Sequence, residues 1–156
     1  MLAERELDEI DRKILRAVAR DGRKSNSALA AEVGLSTSPC WQRIKRLEDE
    51  GYIEGYTALL NQEKLGYSET VFVEVSLQRH DGEMLKQFGE DMARVPEILE
   101  VYLVSGDCDY LLKVAVNGTK GYEQFLTNTL YKFPYMRQSR STFTLRCLKK
   151  ATSVLP

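Results

Sequence analysis

Partway along this chain the spacing of its apolar residues changes, and that change restricts the fold more than any other property. Up to about residue 50 they recur at threes and fours: Leu7, Ile10, Ile14 and Val18; then Ala28, Leu29 and Val33; then Cys40, Ile44 and Leu47. That is the period of amphipathic helices, each with one stripe to bury. From Val71 the pattern alternates instead, with Val71, Val73, Val75 and Leu77 set against Phe72, Glu74 and Ser76, as in a half-buried strand. A chain written this way builds two cores, one from helices and one from a sheet. Its 156 residues suit one large domain or two small ones, each with a modest core, and the change of period favours two.

The first helix ends near Asp21, before Gly22. Ser25 is the expected N-cap of the second, and Gly34 its left-handed C-cap. Ser36 or Ser38 caps the third helix, and Pro39 lies in its first turn, where a missing N–H costs nothing. That helix runs to about Glu50. Tyr52 to Leu60 is expected as a short hairpin or extended ribbon, and 61–68 as a linker. The remainder reads strand, helix, strand, strand, helix, strand. Met84, Leu85, Phe88, Met92 and Val95 line the first of these helices, and Tyr122, Leu126, Thr129 and Phe133 the second. Ile98–Val104 and Tyr110–Val116 are the middle strands, and Phe143, Leu145 and Cys147 alternate along the last. This βαββαβ order is the ferredoxin-like arrangement, an antiparallel sheet with both helices on one face. Its open face is either wet or covered by a partner, and Phe72 and Tyr102 favour a partner.

Several function classes are disfavoured at once. The longest apolar runs, such as Val101-Tyr102-Leu103-Val104, fall far short of the roughly 20 residues a membrane helix needs. The N-terminus lacks the pattern of a secretory leader, so a cytoplasmic location is expected. Cys40, Cys108 and Cys147 are odd in number and widely spaced, and His80 is the single histidine. No disulfide framework, metal site, cofactor or His-based catalysis is therefore expected.

The third helix carries a second stripe, Ser38, Trp41, Gln42 and Lys45, flanked by Arg43 and Arg46. A helix fits the major groove of B-DNA, where Gln, Arg and Lys read base edges. The hydroxyls of Ser36, Thr37 and Ser38 and the free amides beside them suit phosphate. A short capped helix, a glycine turn and this helix together make a helix-turn-helix. A solvated basic face is the plainer explanation of the arginines. It is weakened because the preceding helix and turn have the right lengths and the stripe holds few acids. Trp41 fits either a core edge or a DNA-facing ring.

These residues resemble a known family. Leu7-Asp8-Glu9-Ile10-Asp11-Arg12-Lys13-Ile14-Leu15, Val33-Gly34-Leu35-Ser36, Ser38-Pro39-Cys40, Arg43-Ile44-Lys45-Arg46-Leu47-Glu48 and Gly51-Tyr52-Ile53 are similar to the Lrp/AsnC, or feast/famine, transcriptional regulators. Gly55 to Leu60 and Val104 to Lys113 extend the match over nearly the whole chain. The resemblance implies an α+β protein with a winged helix-turn-helix DNA-binding domain at 1–60. It also implies a ferredoxin-like effector-binding domain at 69–156 that dimerises and often assembles into octamers. The implied effectors are amino acids.

The Ser105-Gly106-Asp107-Cys108-Asp109 turn is the remaining chemical candidate. Gly-Asp pairs in turns commonly serve geometry alone. Two carboxylates fall short of a divalent-cation cage, and no nucleophile accompanies them as an acid/base pair. An α-amino acid, in contrast, offers an ammonium for a carboxylate and a carboxylate for amides and hydroxyls. The resemblance places the effector pocket at this loop, between dimers, and so assigns Gly106, Asp107 and Asp109 to it, with Ser105, Tyr110 and Thr142 as weaker members. Cys108 stands where the family often has a bulky residue.

The expected function is a sequence-specific transcriptional regulator of amino-acid metabolism whose assembly or DNA engagement responds to an amino-acid effector, and not an enzyme. An architectural DNA-coating protein and an amino-acid-binding metabolic module are the alternatives. The net charge of −1 conceals a strong asymmetry. Residues 1–11 set one base against five acids, 12–47 nine bases against two acids, and 48–61 four acids against none; the rest carries twelve of each sign. The electrostatic footprint for phosphate is confined to the helical part.

Overall fold

The computed structural model describes residues 6–78 and 81–156; His80 lies outside them. The chain divides into two compact units. One ends at Leu59 and is joined by Lys149–Pro156; the other is Leu60–Leu148. The eight C-terminal residues thus group with the helical unit rather than with the sheet, and the Arg16 guanidinium donates to the Pro156 oxygen at 2.9 Å.

In the helical unit, α1 is Glu9–Arg20, α2 Asn26–Val33 and α3 Thr37–Asp49. α1 opens on a reciprocal cap: Asp8 accepts from the Asp11 amide, and Asp11 accepts from the Asp8 amide. Ser25 accepts from the Ala28 amide, as its type predicts. Gly34 turns left-handed, and the amides of Gly34 and Leu35 both donate to the Ala30 carbonyl, closing α2 sharply before α3 begins. Ser36 occupies the N-cap position of α3, but its hydroxyl makes no capping bond. Ile14, Ala17, Leu29, Ala30, Val33, Cys40 and Leu47 form the core, with Leu7, Ile10, Val18 and Ile44 at its margin. The buried line of α1 is therefore Asp11, Ile14 and Ala17, and a carboxylate lies in it. Residues 53–60 carry no regular secondary structure and no strand pairing, so the expected hairpin does not form. Tyr56 ties this segment to α3 by donating to Glu48 at 2.9 Å, and burial, reinforced by that carboxylate, pushes its hydroxyl up to about 12.

The second unit contains β1 Glu69–Leu77, α4 Gly82–Ala93, β2 Ile98–Leu103, β3 Tyr110–Val116, α5 Gly118–Asn128 and β4 Met136–Phe143. The antiparallel sheet has the order β2-β3-β1-β4, the ferredoxin-like topology. Val71, Val73, Val75 and Leu77 point to one face with Tyr110, Leu112, Val114 and Val116, against Phe88 and Met92 of α4 and Tyr122 and Phe125 of α5. Two element expectations are corrected. β4 ends at Phe143, which pairs with Val71; Thr144 makes a last bond to the Thr70 carbonyl, and Leu145 and Cys147 are exposed. The alternation continues beyond Phe143, but the pairing with β1 does not, although β1 itself reaches back to Glu69, which pairs with Val116 of β3. Similarly α5 buries Phe125 most fully, with Leu126 packed at the core's margin, and stops at Asn128, and a 3₁₀ turn at Leu130–Lys132 carries the fully buried Leu130.

Candidate DNA-reading helix and effector loop

The two faces of α3 separate cleanly. Cys40 and Leu47 face the core, while Ser36, Thr37, Ser38, Gln42 and Lys45 are exposed. Trp41 is 55% exposed, which removes it from the core and leaves its ring on the outer face. Lys45 reaches Asp49 at 3.1 Å in an exposed i,i+4 pair, an interaction weak enough to yield to phosphate.

Arg43 and Arg46 behave differently. Arg43 Nη1 lies 2.6 Å from Asp8 and 2.8 Å from Asp11, and Arg46 Nη2 lies 2.6 Å from Asp11. Asp11 is 1% exposed. Both arginine head groups, expected at the DNA-facing side, turn back to the start of α1 in this structure. The Arg43 hydrogen bond holds the Asp8 carboxyl at about 2, and the two aspartates raise Arg43 in turn. Part of the remaining basic charge is likewise engaged, since Arg20 and Lys24 both pair with Glu32.

In the second unit, Ser105, Gly106 and Asp107 are exposed at the tip of the β2–β3 turn, with Gly106 at φ +134°. Asp109 holds the end of β1: its carboxylate accepts from the Leu77 amide at 2.7 Å and its amide donates to the Val75 carbonyl at 2.9 Å. Tyr110 turns inward, 4% exposed, and donates to the Leu85 carbonyl of α4 at 2.6 Å, so its hydroxyl is absent from the loop surface. Thr142 lies on the open face opposite Phe72, four residues along β4 from Gln138, the partner of Ser76. Those four residues span about 13 Å of strand, so a single chain does not bring Thr142 to the loop.

Sequence reasoning missed three neighbours of the turn. The Ser76 hydroxyl donates to the Asp107 carbonyl at 3.4 Å. Glu74 and Arg140 are opposed across β1 and β4, with a 3.7 Å ion pair on the open face. Burial first, then the charges of Glu74, Asp109 and Asp107, push the Cys108 thiol up against the opposing pull of Arg140. The thiol is thus held neutral among charged groups, as an inert cysteine is. The outward positions of β1 and β4 are legible from alternation, but their register is not. Two cavities of this unit, of about 250 Å³ beside α5 and about 630 Å³ along α4, include none of residues 105–110.

Comparison with known proteins decides the family. The Lrp/AsnC ligand binding domain matches residues 70–154, and the winged helix-turn-helix DNA-binding family matches residues 7–54. The chain belongs to the Lrp/AsnC family of transcriptional regulators. It is 45% identical over 141 residues to the Bkd operon transcriptional regulator of Pseudomonas aeruginosa, covering 90% of this chain and 92% of that one. It is 42% identical over 151 residues to the leucine-responsive regulatory protein of Escherichia coli, covering 97% and 92%. Among solved structures, a transcriptional regulator of Neisseria meningitidis in complex with L-Met superposes with a TM-score of 0.90 at 33% identity, covering 96% of each chain. An AsnC family transcriptional regulator of Agrobacterium tumefaciens also reaches 0.90, at 39% identity, covering 95% of this chain and 96% of that one. This Lrp/AsnC protein is an effector-modulated, DNA-binding transcriptional regulator, with DNA contact assigned to its helical unit and ligand binding to its sheet unit.

Proposed function

We propose that α3 enters the major groove and contacts DNA through Ser36, Thr37, Ser38, Trp41, Gln42 and Lys45, and that an α-amino acid at the β2–β3 turn modulates this engagement in regulating amino-acid metabolism. The observation that carries the DNA assignment is the exposure of Trp41 on the same stripe as the polar residues, opposite a well-packed core face. Gln42 is suited to a bidentate contact with adenine, and Lys45 to phosphate or guanine. For the effector, Asp107 suits the ammonium, and the amides and hydroxyl of Ser105 and Gly106 suit the carboxylate. Asp109 shapes the turn through β1, and Tyr110 supports it from the core side. The L-Met complex of the Neisseria relative and the leucine-responsive name of the Escherichia coli relative favour an amino acid as the ligand class.

The open sheet face, with half-buried Phe72 and Leu111 and 49% exposed Tyr102, supports a homodimer and further association, such as an octamer, in which a second copy brings groups like Thr142 to the turn. No helix among the described residues is long and apolar enough to cross a membrane, and the cytoplasm, where DNA lies, is the proposed site of action. The test is duplex binding by Trp41→Ala, Gln42→Ala and Lys45→Ala, together with amino-acid response in Asp107→Asn. Expected are a loss of at least tenfold in specific affinity for the first two and a reduced salt slope for the third. Unchanged binding in all three removes α3 as the reader, and an unchanged amino-acid response in Asp107→Asn removes the turn as the effector site.

A further inference from the structure

Asp11 is a carboxylate buried in a small helical core, and burying an ion is favourable only where partners compensate it fully. Its partners are complete. Oδ1 receives Arg43 at 2.8 Å, and Oδ2 receives Arg46 at 2.6 Å and the Asp8 amide at 3.2 Å. Asp8, at the surface end of the same group, takes Arg43 again at 2.6 Å. Arg43 and Arg46 stand three residues apart on α3, so they share one side of that helix, and that side adjoins the stripe holding Gln42 and Lys45. Two rigid guanidinium forks fastened to one carboxylate oppose rotation of α3 about its own axis. Packing of the fully buried Cys40 and Leu47 fixes which side of α3 faces the core, and the directional ion pairs set the finer angle within that limit. A helix that reads bases requires that angle, because one residue of rotation, about 100°, presents a different row of side chains to the groove.

We propose that Asp11, with Asp8, is a positioning residue for DNA recognition: through Arg43 and Arg46 it sets the rotation of α3, and these two arginines serve discrimination between sequences by holding the helix rather than by touching DNA. This rests on the assignment of α3 as the reader.

The experiment uses the full chain, a duplex selected in vitro by the wild-type protein, and a scrambled duplex of equal length, titrated across a salt series. Asp11→Asn keeps the shape and the amide bond but removes the charge. It is expected to weaken binding to the selected duplex by tenfold or more, leave the scrambled duplex within twofold, and be rescued in part by Asp11→Glu. Arg43→Gln is expected to show the same loss of discrimination with an unchanged slope of log affinity against log salt, whereas loss of a phosphate contact lowers that slope by about 0.9. If Asp11→Asn fails to fold, the half-exposed Asp8 carries the test, and Asp8→Asn is expected to show a smaller loss of discrimination than Arg43→Gln. The proposal is overturned if Asp11→Asn, or Asp8→Asn in its place, binds the selected duplex like wild type, or if Arg43→Gln lowers the salt slope by a full contact. Retained binding in Trp41→Ala, Gln42→Ala and Lys45→Ala overturns the reader assignment as well. Loss in those three with no effect at Asp11 overturns the positioning role alone.

Discussion

At the scale of single residues, the chemistry of this regulator turns on which charges are engaged. Asp8 shows how a cap and an ion pair combine. It accepts from the Asp11 amide and from Arg43, and the Arg43 bond is the larger cause of its carboxyl falling from an ordinary 3.8 to about 2. A carboxylate held lower in the folded state than in the unfolded one adds stability above pH 3.8, and that stability is lost as the pH falls through about 2. Thermal unfolding between pH 5 and pH 2 is therefore expected to show an acid-induced loss that is smaller in Asp8→Asn, whose side chain does not titrate. An equal slope in both proteins refutes the linkage. Asp8 and Asp11 belong to a predominantly acidic segment of the sequence, which does not reveal their pairing with α3. The reciprocal cap is readable from two acids three residues apart, whereas the arginines that complete the group lie 32 to 35 residues on.

At the scale of elements, close packing of α4 on the sheet depends on a glycine. A Cβ at Gly89 would lie 2.8 Å from the Tyr110 hydroxyl oxygen, which passes across α4 to donate to the Leu85 carbonyl. Alanine is the better helix former by roughly 0.5–1 kcal/mol, but overpacking costs about 1–3 kcal/mol, so Gly89→Ala is expected to be destabilising on balance. Tyr110→Phe removes the atom that clashes at a cost of about 1 kcal/mol. The double variant is expected to be less destabilised than the two single changes combined, as measured by denaturant unfolding; strict additivity rejects the close approach. The helical and strand periods made most elements visible before any coordinates, because each depends on local spacing. The exceptions were elements whose ends depend on a partner. β4 leaves the sheet at Phe143 while β1 continues to Glu69 against β3, and α5 gives way to a 3₁₀ turn that buries Leu130 in the sheet core. Local alternation through Leu145 and Cys147 carried no information on either point.

At the scale of the whole molecule, the sheet unit presents an open face that joins apolar and charged groups. Tyr102 donates to Glu100 at 2.7 Å, Lys113 meets Glu100 at 2.6 Å, and Phe72 stands between Lys113 and Thr142. If this face joins two copies, Phe72→Glu places two like charges in the contact. It is expected to shift the protein toward monomer in sedimentation velocity and to weaken binding to a two-half-site duplex more than to a single half-site. A wild-type oligomer distribution in Phe72→Glu excludes this face as the contact. From order and spacing alone, the chain already specified three helices followed by βαββαβ, the turn at Gly34, the outward stripe of α3 and the placement of basic charge in the helical part, since each is written in neighbouring residues. The folded chain alone decided that Arg43 and Arg46 are drawn back to Asp8 and Asp11, that Tyr110 turns its hydroxyl to α4, and that Glu74 and Arg140 meet beside the β2–β3 turn. Those outcomes depend on which distant side chains the packing of helices and the register of strands bring within hydrogen-bond reach, and local periodicity carries no record of that distance.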